Sequence, residues 1–382
     1  MGTTVSEQQL VEILDRAIER LWAFAPAVDD RIYHWVNGED VKWTDGWGWT
    51  DGFWPGSLWL AHEATGDEKW ADLARNSGYR FRQRIASHET HTHDMGFLFS
   101  PTTVAEYRIS GSEDMREMAL AAARAITARF NPFGRFIRAW NVWAGDTTEE
   151  ARKKRRGMSI IDTMMNLHLL WWAERETGNP EFGQIAEEHA ATTRRYFCRA
   201  DGSTVHTFVF DPETGKPLNG QTHQGYADDS CWSRGHAWAI YGFSLAYTWT
   251  GSSEHLETAR SLADYWLKHV PEHGVPPWDF DAPDGKSLPD TSAAAVAACG
   301  LLELARHVGG SEGESYRELA LRSLVTLDQK FIQPEPYMGL LSGGVSNKPG
   351  GTGVGVSLVY GDYFYLEALL RAGGRERFCW SP

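Results

Sequence analysis

Cysteine is scarce. Cys198, Cys231, Cys299 and Cys379 are scattered along the 382 residues with no C-x-x-C pair, which argues against a thiolate zinc site. Free thiols point to a reducing compartment, so a cytoplasmic location is expected. Long apolar runs are missing as well. Nothing approaches the roughly 18 apolar residues that mark a membrane span, and residues 1–10 lack the basic start and apolar stretch of a secretory signal. Positive charge is in deficit: 37 Lys and Arg face 51 Asp and Glu, a net charge of −14. Such a chain is a poor partner for nucleic acid or an anionic membrane, although a few focused cations can still hold a small anion. No phosphate-cradling glycine loop precedes a helix, no G-x-S-x-G nucleophile elbow is present, and H-E-x-x-H does not occur. The glycine-rich run 350–355 reads as a mobile loop or cleft lid. No cofactor is expected. No Pro/Ser-rich linker interrupts the chain, so residues 1–382 read as one domain.

What is abundant is tryptophan. The chain holds 18 Trp, 13 Tyr and 17 Phe, and Trp43, Trp47, Trp49, Trp54 and Trp59 crowd one stretch. Most aromatic residues serve core packing. Trp in loops beside Gly, Asp and His fits packing less well, and an aromatic face suits the apolar C–H face of a sugar ring.

A weak repeat organises the chain. An apolar helical run ends in a turn carrying Gly66, Gly111, Gly178, Gly251 or Gly309, followed by a small polar and an acidic residue and a second helical run. Glycine in the left-handed conformation closes one helix, and the Asp, Ser or Asn after it caps the next. The turns recur about every 60 residues. About six such hairpins fill the chain, the stretch Tyr363–Leu370 completing the last. The expectation is an all-α fold, an (α/α)6 barrel. The longer connections, rich in Gly, Trp, His and Asp, lie opposite the tight turns and should carry the functional residues. Short strands are expected in those connections, for example within 203–210.

Among those residues Asp162 is distinctive. It stands in a run that includes Ile160, Ile161, Met164, Met165, Leu167, Leu169, Leu170, Trp171 and Trp172. Burial raises a carboxyl pKa, as a proton donor near neutral pH requires. Ser159 and Asp162 also fit a capping box, in which Asp162 only ties off backbone amides. His88, His91 and His93 with Asp94 invite a metal reading, but no recognised ligand spacing accompanies them. That leaves Asp94 and Asp162 as paired carboxylates, the usual equipment of glycoside cleavage.

The blocks at 49–54, 93–97, 160–162, 206–212, 222–225, 232–238, 278–280 and 361–369 resemble, in order, those of the unsaturated glucuronyl hydrolases (unsaturated chondroitin disaccharide hydrolases), glycoside hydrolase family 88. The resemblance implies an (α/α)6 barrel. It also implies a substrate left by a polysaccharide lyase, an oligosaccharide ending in a 4,5-unsaturated uronic acid. By resemblance Asp162 is the general acid and then the base. Asp94 holds substrate and raises the Asp162 pKa. His93, His206, His223 and Gln224 bind uronate and water, and Arg234 orients the site or meets the carboxylate. Trp49, Trp140, Trp232 and Trp238 stack on sugars. Ser346 and Lys348, with Ser342, resemble a segment that relatives use for sulfated substrates. Two departures stand out: His236 replaces a frequent Gln, and the loop Trp143–Arg156 looks longer and reads as a solvated surface. A monomer or weak homo-oligomer is expected. Two other readings remain: a hydrolase of unsaturated rhamnogalacturonyl (pectin) fragments, and a catalytically silent sugar-binding toroid.

Overall fold

The computed structural model describes residues 5–28, 31–283 and 288–382. Its helices are α1 (Glu7–Val28), α2 (Phe53–Thr65), α3 (Glu68–Arg75), α4 (Gly78–Ala86), α5 (Met95–Phe99), α6 (Ala105–Ser110), α7 (Glu113–Thr127), α8 (Glu149–Arg156), α9 (His168–Thr177), α10 (Pro180–Phe197), α11 (Ser233–Thr250), α12 (Ser253–His269), α13 (Thr291–Val308), α14 (Gly310–Lys330) and α15 (Val359–Ala372). A π turn, Ser100–Val104, joins α5 to α6, and a 3-10 turn, Ile161–Asn166, leads towards α9.

These elements form an (α/α)6 barrel. The inner limbs are α2, α5–α6, the 3-10 turn with α9, α11, α13 and α15. In α11 every residue from Ser233 to Ala246 is buried, and in α15 every residue from Val359 to Ala372. Helices apolar all round belong inside, whereas amphipathic ones face water on one side. The outer α7, α10 and α12 show that second pattern. The sixth hairpin differs from the expectation. No tight turn makes it; α15 packs against α1, so the two ends of the chain close the ring. Tyr33, just after α1, donates to Asp362 of α15 at 2.8 Å.

Four of the five repeat turns close as read from the sequence. Gly66, Gly111, Gly178 and Gly251 have φ of 70, 70, 71 and 68°, and their amides bond to the carbonyls of His62, Tyr107, Glu174 and Tyr247. Gly309 departs, with φ 65° and ψ −176°, an extended ψ that only the absence of a Cβ permits at this φ. Asp67 and Asn179 cap the following helices through their side chains, whereas Ser112 and Ser252 do not.

The opposite face carries the short strands expected there. The one foreseen within 203–210 is Thr207–Phe210, and among the described residues eight others accompany it. In chain order they are β1 (Tyr33–Asn37), β2 (Asp40–Trp43), β3 (Phe130–Asn131), β4 (Phe136–Ile137), β5 (Met158–Ile160), β6 (Thr207–Phe210), β7 (Pro217–Gln221), β8 (Gly344–Asn347) and β9 (Thr352–Leu358). They pair as β2-β1-β9-β8, β3-β4 and β5-β6-β7. All lie in connections that run from an outer helix to the next inner one. They brace the rim above the N-terminal ends of the inner helices. The glycine-rich run 350–355 is the turn and start of β9 rather than a free lid.

Candidate active site

The inner helices start close together because two glycines allow it. A Cβ on Gly52 would lie 2.3 Å from the Phe97 carbonyl oxygen, and one on Gly96 would lie 2.6 Å from Asn166 Cα. These contacts draw the blocks at 49–54, 93–97 and 160–166 into one place. Asn166 then ties two of them: its Oδ1 accepts from Phe97 N at 2.7 Å, and its Nδ2 donates to the Asp162 carbonyl at 3.2 Å. Sequence reasoning missed Asn166. The available signal was a second polar residue one turn after Asp162 in the same apolar run.

Beneath the site a ring of aromatic side chains closes the barrel axis. Phe53, Phe97, Trp238 and Phe364 contact in a cycle, with centroids 5.5 Å (Phe53–Phe97), 5.0 Å (Phe97–Trp238), 5.2 Å (Trp238–Phe364) and 5.5 Å (Phe364–Phe53). Trp238 therefore cannot stack on a sugar, contrary to expectation. It is fully enclosed in this floor, shut off from any ligand. Trp49 stands above the floor, partly exposed, 5.7 Å from Phe97 and 4.9 Å from Tyr360.

Asp162 occupies the 3-10 turn and is buried. The capping-box reading does not hold. Ser159 lies in β5, its Oγ donates to the Ile137 carbonyl at 3.1 Å, and the Asp162 side chain caps no helix. Asp162 Oδ1 is buried without a hydrogen-bond partner among the described residues. Burial pushes the carboxyl up to about 7; the Arg234 charge opposes the shift and Asp94 adds to it. The like-charge effect expected of Asp94 is thus present but secondary to desolvation.

Asp94 is buried too. Its Oδ2 accepts from Thr92 Oγ1 at 2.8 Å, and its Oδ1 lies 3.1 Å from His93 Nε2. The His93 Nδ1 lies 2.9 Å from the Ala139 carbonyl, which also accepts from Arg129 at 3.0 Å. That carbonyl can only accept, so His93 carries a proton on Nδ1. His91 Nε2 lies 3.1 Å from the Arg84 carbonyl, so His91 and His93 each spend a ring nitrogen on a backbone carbonyl. Among the described residues no group of three His, Cys, Asp or Glu could hold a metal ion.

His206 comes beside Asp162 because β5 pairs with β6 and Ile161 N donates to the His206 carbonyl at 3.0 Å. Its Nδ1 faces the Thr222 hydroxyl at 2.9 Å and the backbone amide of His223 at 3.2 Å. An amide can only donate, so Nδ1 is the acceptor and Nε2 bears the hydrogen. That Nε2 is buried without a partner among the described residues. Burial and neighbouring cationic groups hold His206 well below the usual histidine range, so it is neutral.

The remaining residues separate into wall and frame. Trp140 is partly exposed, 5.1 Å from the exposed ring of His223 and 6.1 Å from His93. Trp232 is buried, packed 4.3 Å from His206 and 4.5 Å from the Arg234 guanidinium, so it backs His206 instead of offering an open sugar-stacking face. Arg234 is fully buried. It pairs with Asp290 at 3.0 Å and donates to the carbonyls of Val345 and Ser346. It anchors β8 to the barrel; only its Nε lacks a partner. Gln224 Nε2 donates to the Ser346 carbonyl at 3.0 Å, so this side chain too braces β8. Ser346 is buried and Lys348 partly exposed on that strand and its turn, while Ser342 Oγ is spent on the Phe331 carbonyl. His236 sits outside the site, its Nε2 2.9 Å from the Leu262 carbonyl. Two neighbours were not singled out from the sequence. Asp51 is buried and pushed up to about 6 by burial, and His34, on β1, is lowered to about 4 by burial and then Arg234.

An (α/α)6 barrel that presents a buried carboxyl group near neutrality, a second carboxylate and partly exposed tryptophans at one mouth is the frame of a glycosidase. The chain belongs to Glycosyl Hydrolase Family 88, whose model matches residues 27–365. It is 40% identical over 349 residues to the unsaturated glucuronyl hydrolase of Bacillus sp. (strain GL1), covering 90% of this chain and 91% of that one. The crystal structure of unsaturated glucuronyl hydrolase from Bacillus sp. GL1, described as responsible for the degradation of glycosaminoglycan, superposes with a TM-score of 0.88 at 38% identity, over 96% of each chain. A Streptococcus agalactiae relative, solved as an aspartate-to-asparagine variant complexed with dGlcA-GalNAc6S, gives a TM-score of 0.84 at 31% identity, over 99% of this chain and 95% of its own.

Proposed function

We propose that this enzyme removes a 4,5-unsaturated uronic acid from the non-reducing end of lyase-generated, glycosaminoglycan-type oligosaccharides, with Asp162 as general acid and then general base. The observation that carries this reading is the Asp162 carboxyl: buried, with Oδ1 unpartnered and titrating at about 7. Such a group holds its proton near neutrality and has a free oxygen with which to deliver it.

The chemistry follows from the vinyl ether. Asp162 gives its proton to C4, the C4=C5 π electrons form the new C–H bond, and positive charge develops at C5 beside the ring oxygen. Water adds at C5 and passes a proton to the Asp162 carboxylate, which restores the acid. The C5 hemiketal opens to a ketone, breaking the bond from C5 to the ring oxygen. The hemiacetal left at C1 then collapses to an aldehyde and releases the second sugar with its hydroxyl. Atoms and protons balance, with one water consumed.

Asp94, held by the Thr92 hydroxyl and 3.1 Å from His93 Nε2, is suited to accept hydroxyls of the uronate ring. The free His206 Nε2–H is suited to donate to the uronate carboxylate or to the attacking water. Trp49 and Trp140 supply the open aromatic faces, with His223 at the mouth. Ser346 lies on the strand that Arg234 and Gln224 brace, and Lys348 in the turn after it. We take residues 1–382 as one catalytic unit acting in a reducing compartment, the cytoplasm, in keeping with four free thiols. Among the described residues no helix is long and apolar enough to cross a membrane.

The test is ultraviolet absorbance of the double bond during incubation with unsaturated chondroitin disaccharide. The wild-type protein should consume the signal, and Asp162→Asn should leave it standing. Undiminished decay with the variant removes Asp162 from its role. Consumption of unsaturated pectin fragments alone moves the substrate to that class, and binding without decay indicates a silent toroid.

A further inference from the structure

Arg129, just after α7, is buried, yet its four hydrogen bonds among the described residues all go to neutral acceptors. Its Nε donates to the Arg138 carbonyl at 2.9 Å and its Nη2 to the Ala139 carbonyl at 3.0 Å. Its Nη1 donates to the His91 carbonyl at 2.7 Å and to Asn141 Oδ1 at 2.8 Å. A buried cation usually takes a carboxylate partner. Here three main-chain carbonyls and one side-chain amide stand in that place. A planar guanidinium can serve four acceptors in fixed directions, and a lysine ammonium cannot.

Those acceptors belong to two segments remote in the chain. One, 89–94, leads into Asp94; the other, 138–141, carries Trp140. Asn141 completes the seam, its Nδ2 donating to the carbonyls of Glu89 at 2.8 Å and His91 at 3.0 Å. The Ala139 carbonyl also accepts from the His93 amide at 3.2 Å, with His93 Nδ1 2.9 Å away. The His93 and Trp140 rings then meet edge to face, with centroids 6.1 Å apart. Asp94 is close enough to act on Arg129: burial, and then the Arg138 charge, lower its proton affinity, and the Asp94 charge opposes both.

We propose that Arg129, with Asn141, is a positioning clamp for the reaction. It sets the Trp140 wall of the mouth against the His93–Asp94 segment that receives the uronate. Asp162 lies on a separate turn held by β6, so the clamp governs how the substrate is placed against the acid. A displacement of about 1 Å between such groups can cost on the order of 100-fold in rate. This inference rests on the proposed uronyl hydrolase activity.

The experiment measures kcat, KM and melting temperature with unsaturated chondroitin disaccharide for wild type, Arg129→Ala, Arg129→Lys and Asn141→Ala, each alone and combined with Trp140→Ala. Arg129→Ala should lower kcat/KM about 10- to 100-fold, and millimolar guanidinium should restore part of the loss. Arg129→Lys should recover little, since it returns the charge without the fork. Asn141→Ala should lower kcat/KM about three- to tenfold at an unchanged melting temperature, and it carries the test if Arg129→Ala does not fold. Each substitution should cost less in the Trp140→Ala background, because both act through the same wall. Full activity in Asn141→Ala, losses that simply multiply with that of Trp140→Ala, or complete recovery in Arg129→Lys overturns the proposal. A wild-type protein that leaves the disaccharide unconsumed is a distinct result, which refutes the underlying activity itself.

Discussion

The backbone amide of His223 points at His206 Nδ1 from 3.2 Å, and this one contact fixes which nitrogen of the imidazole is free. The Nε2–H is left as a buried donor with no hydrogen-bond partner among the described residues. In 15N NMR, His206 should show the Nε2–H tautomer and stay neutral well below the pH at which an exposed histidine takes up its proton, because burial first and then His223 and Arg234 oppose its charging. His206→Phe, which keeps the ring volume and removes the donor, should lower kcat about 10- to 1000-fold. A loss confined to stability, with kcat unchanged, would show that the donor has no part in turnover.

The activity should depend on the Asp162 proton. The acid form is needed to protonate C4, so kcat/KM should fall as pH rises through about 7, tenfold per unit beyond it. Asp94 is one of the influences that raise the Asp162 pKa, so Asp94→Asn should move this limb to lower pH as well as weaken binding. A limb that stays in place in Asp94→Asn shows that the two carboxylates are not coupled.

The same shift makes Asp162 a stability liability. Its folded pKa, about 7, lies above the 3.8 of an exposed carboxyl. Between those values the folded state binds more protons than the unfolded one, so stability is fully present below the lower pKa and is lost as pH rises through the upper one. Asp162→Asn has no such proton to lose and breaks no cap. It should be more stable than wild type at pH 8, by about 1–3 kcal/mol, and melt at higher temperature, with the advantage disappearing near pH 4. Thermal melts at the two pH values decide it. A destabilised variant at pH 8 would mean that the Asp162 side chain supports the fold.

Two tryptophans with similar sequence surroundings should fail in different ways. Trp140→Ala opens one wall of the mouth and should raise KM several-fold with little change in denaturation midpoint. Trp238→Ala removes one member of the aromatic floor and should cost about 3–5 kcal/mol of stability. Urea melts paired with KM values separate the cases. Equal KM effects without loss of stability would return Trp238 to the sugar site.

Much of this protein is written locally. A helix period needs only neighbours three and four residues away, and a left-handed glycine only its own backbone, so the hairpins ending at Gly66, Gly111, Gly178 and Gly251 are legible in the sequence. Asp162 stands out for the same reason, as a carboxylate inside an apolar run, and the ordered blocks at 49–54, 93–97 and 232–238 mark the family. What tertiary structure decided involves partners far apart in the chain. The sixth hairpin needed α1 beside α15. Ser159 belongs to a strand because β6 lies beside it, which removes the capping box. Trp140 and Trp238 share a residue type, but burial is defined only when the inner helices meet, and then one lines the mouth and the other the floor. Arg234 reads as a ligand for a carboxylate until Asp290 and the β8 carbonyls occupy its guanidinium. Local spacing encodes which element a residue joins, whereas protonation, exposure and hydrogen-bond partners exist only once remote segments pack together.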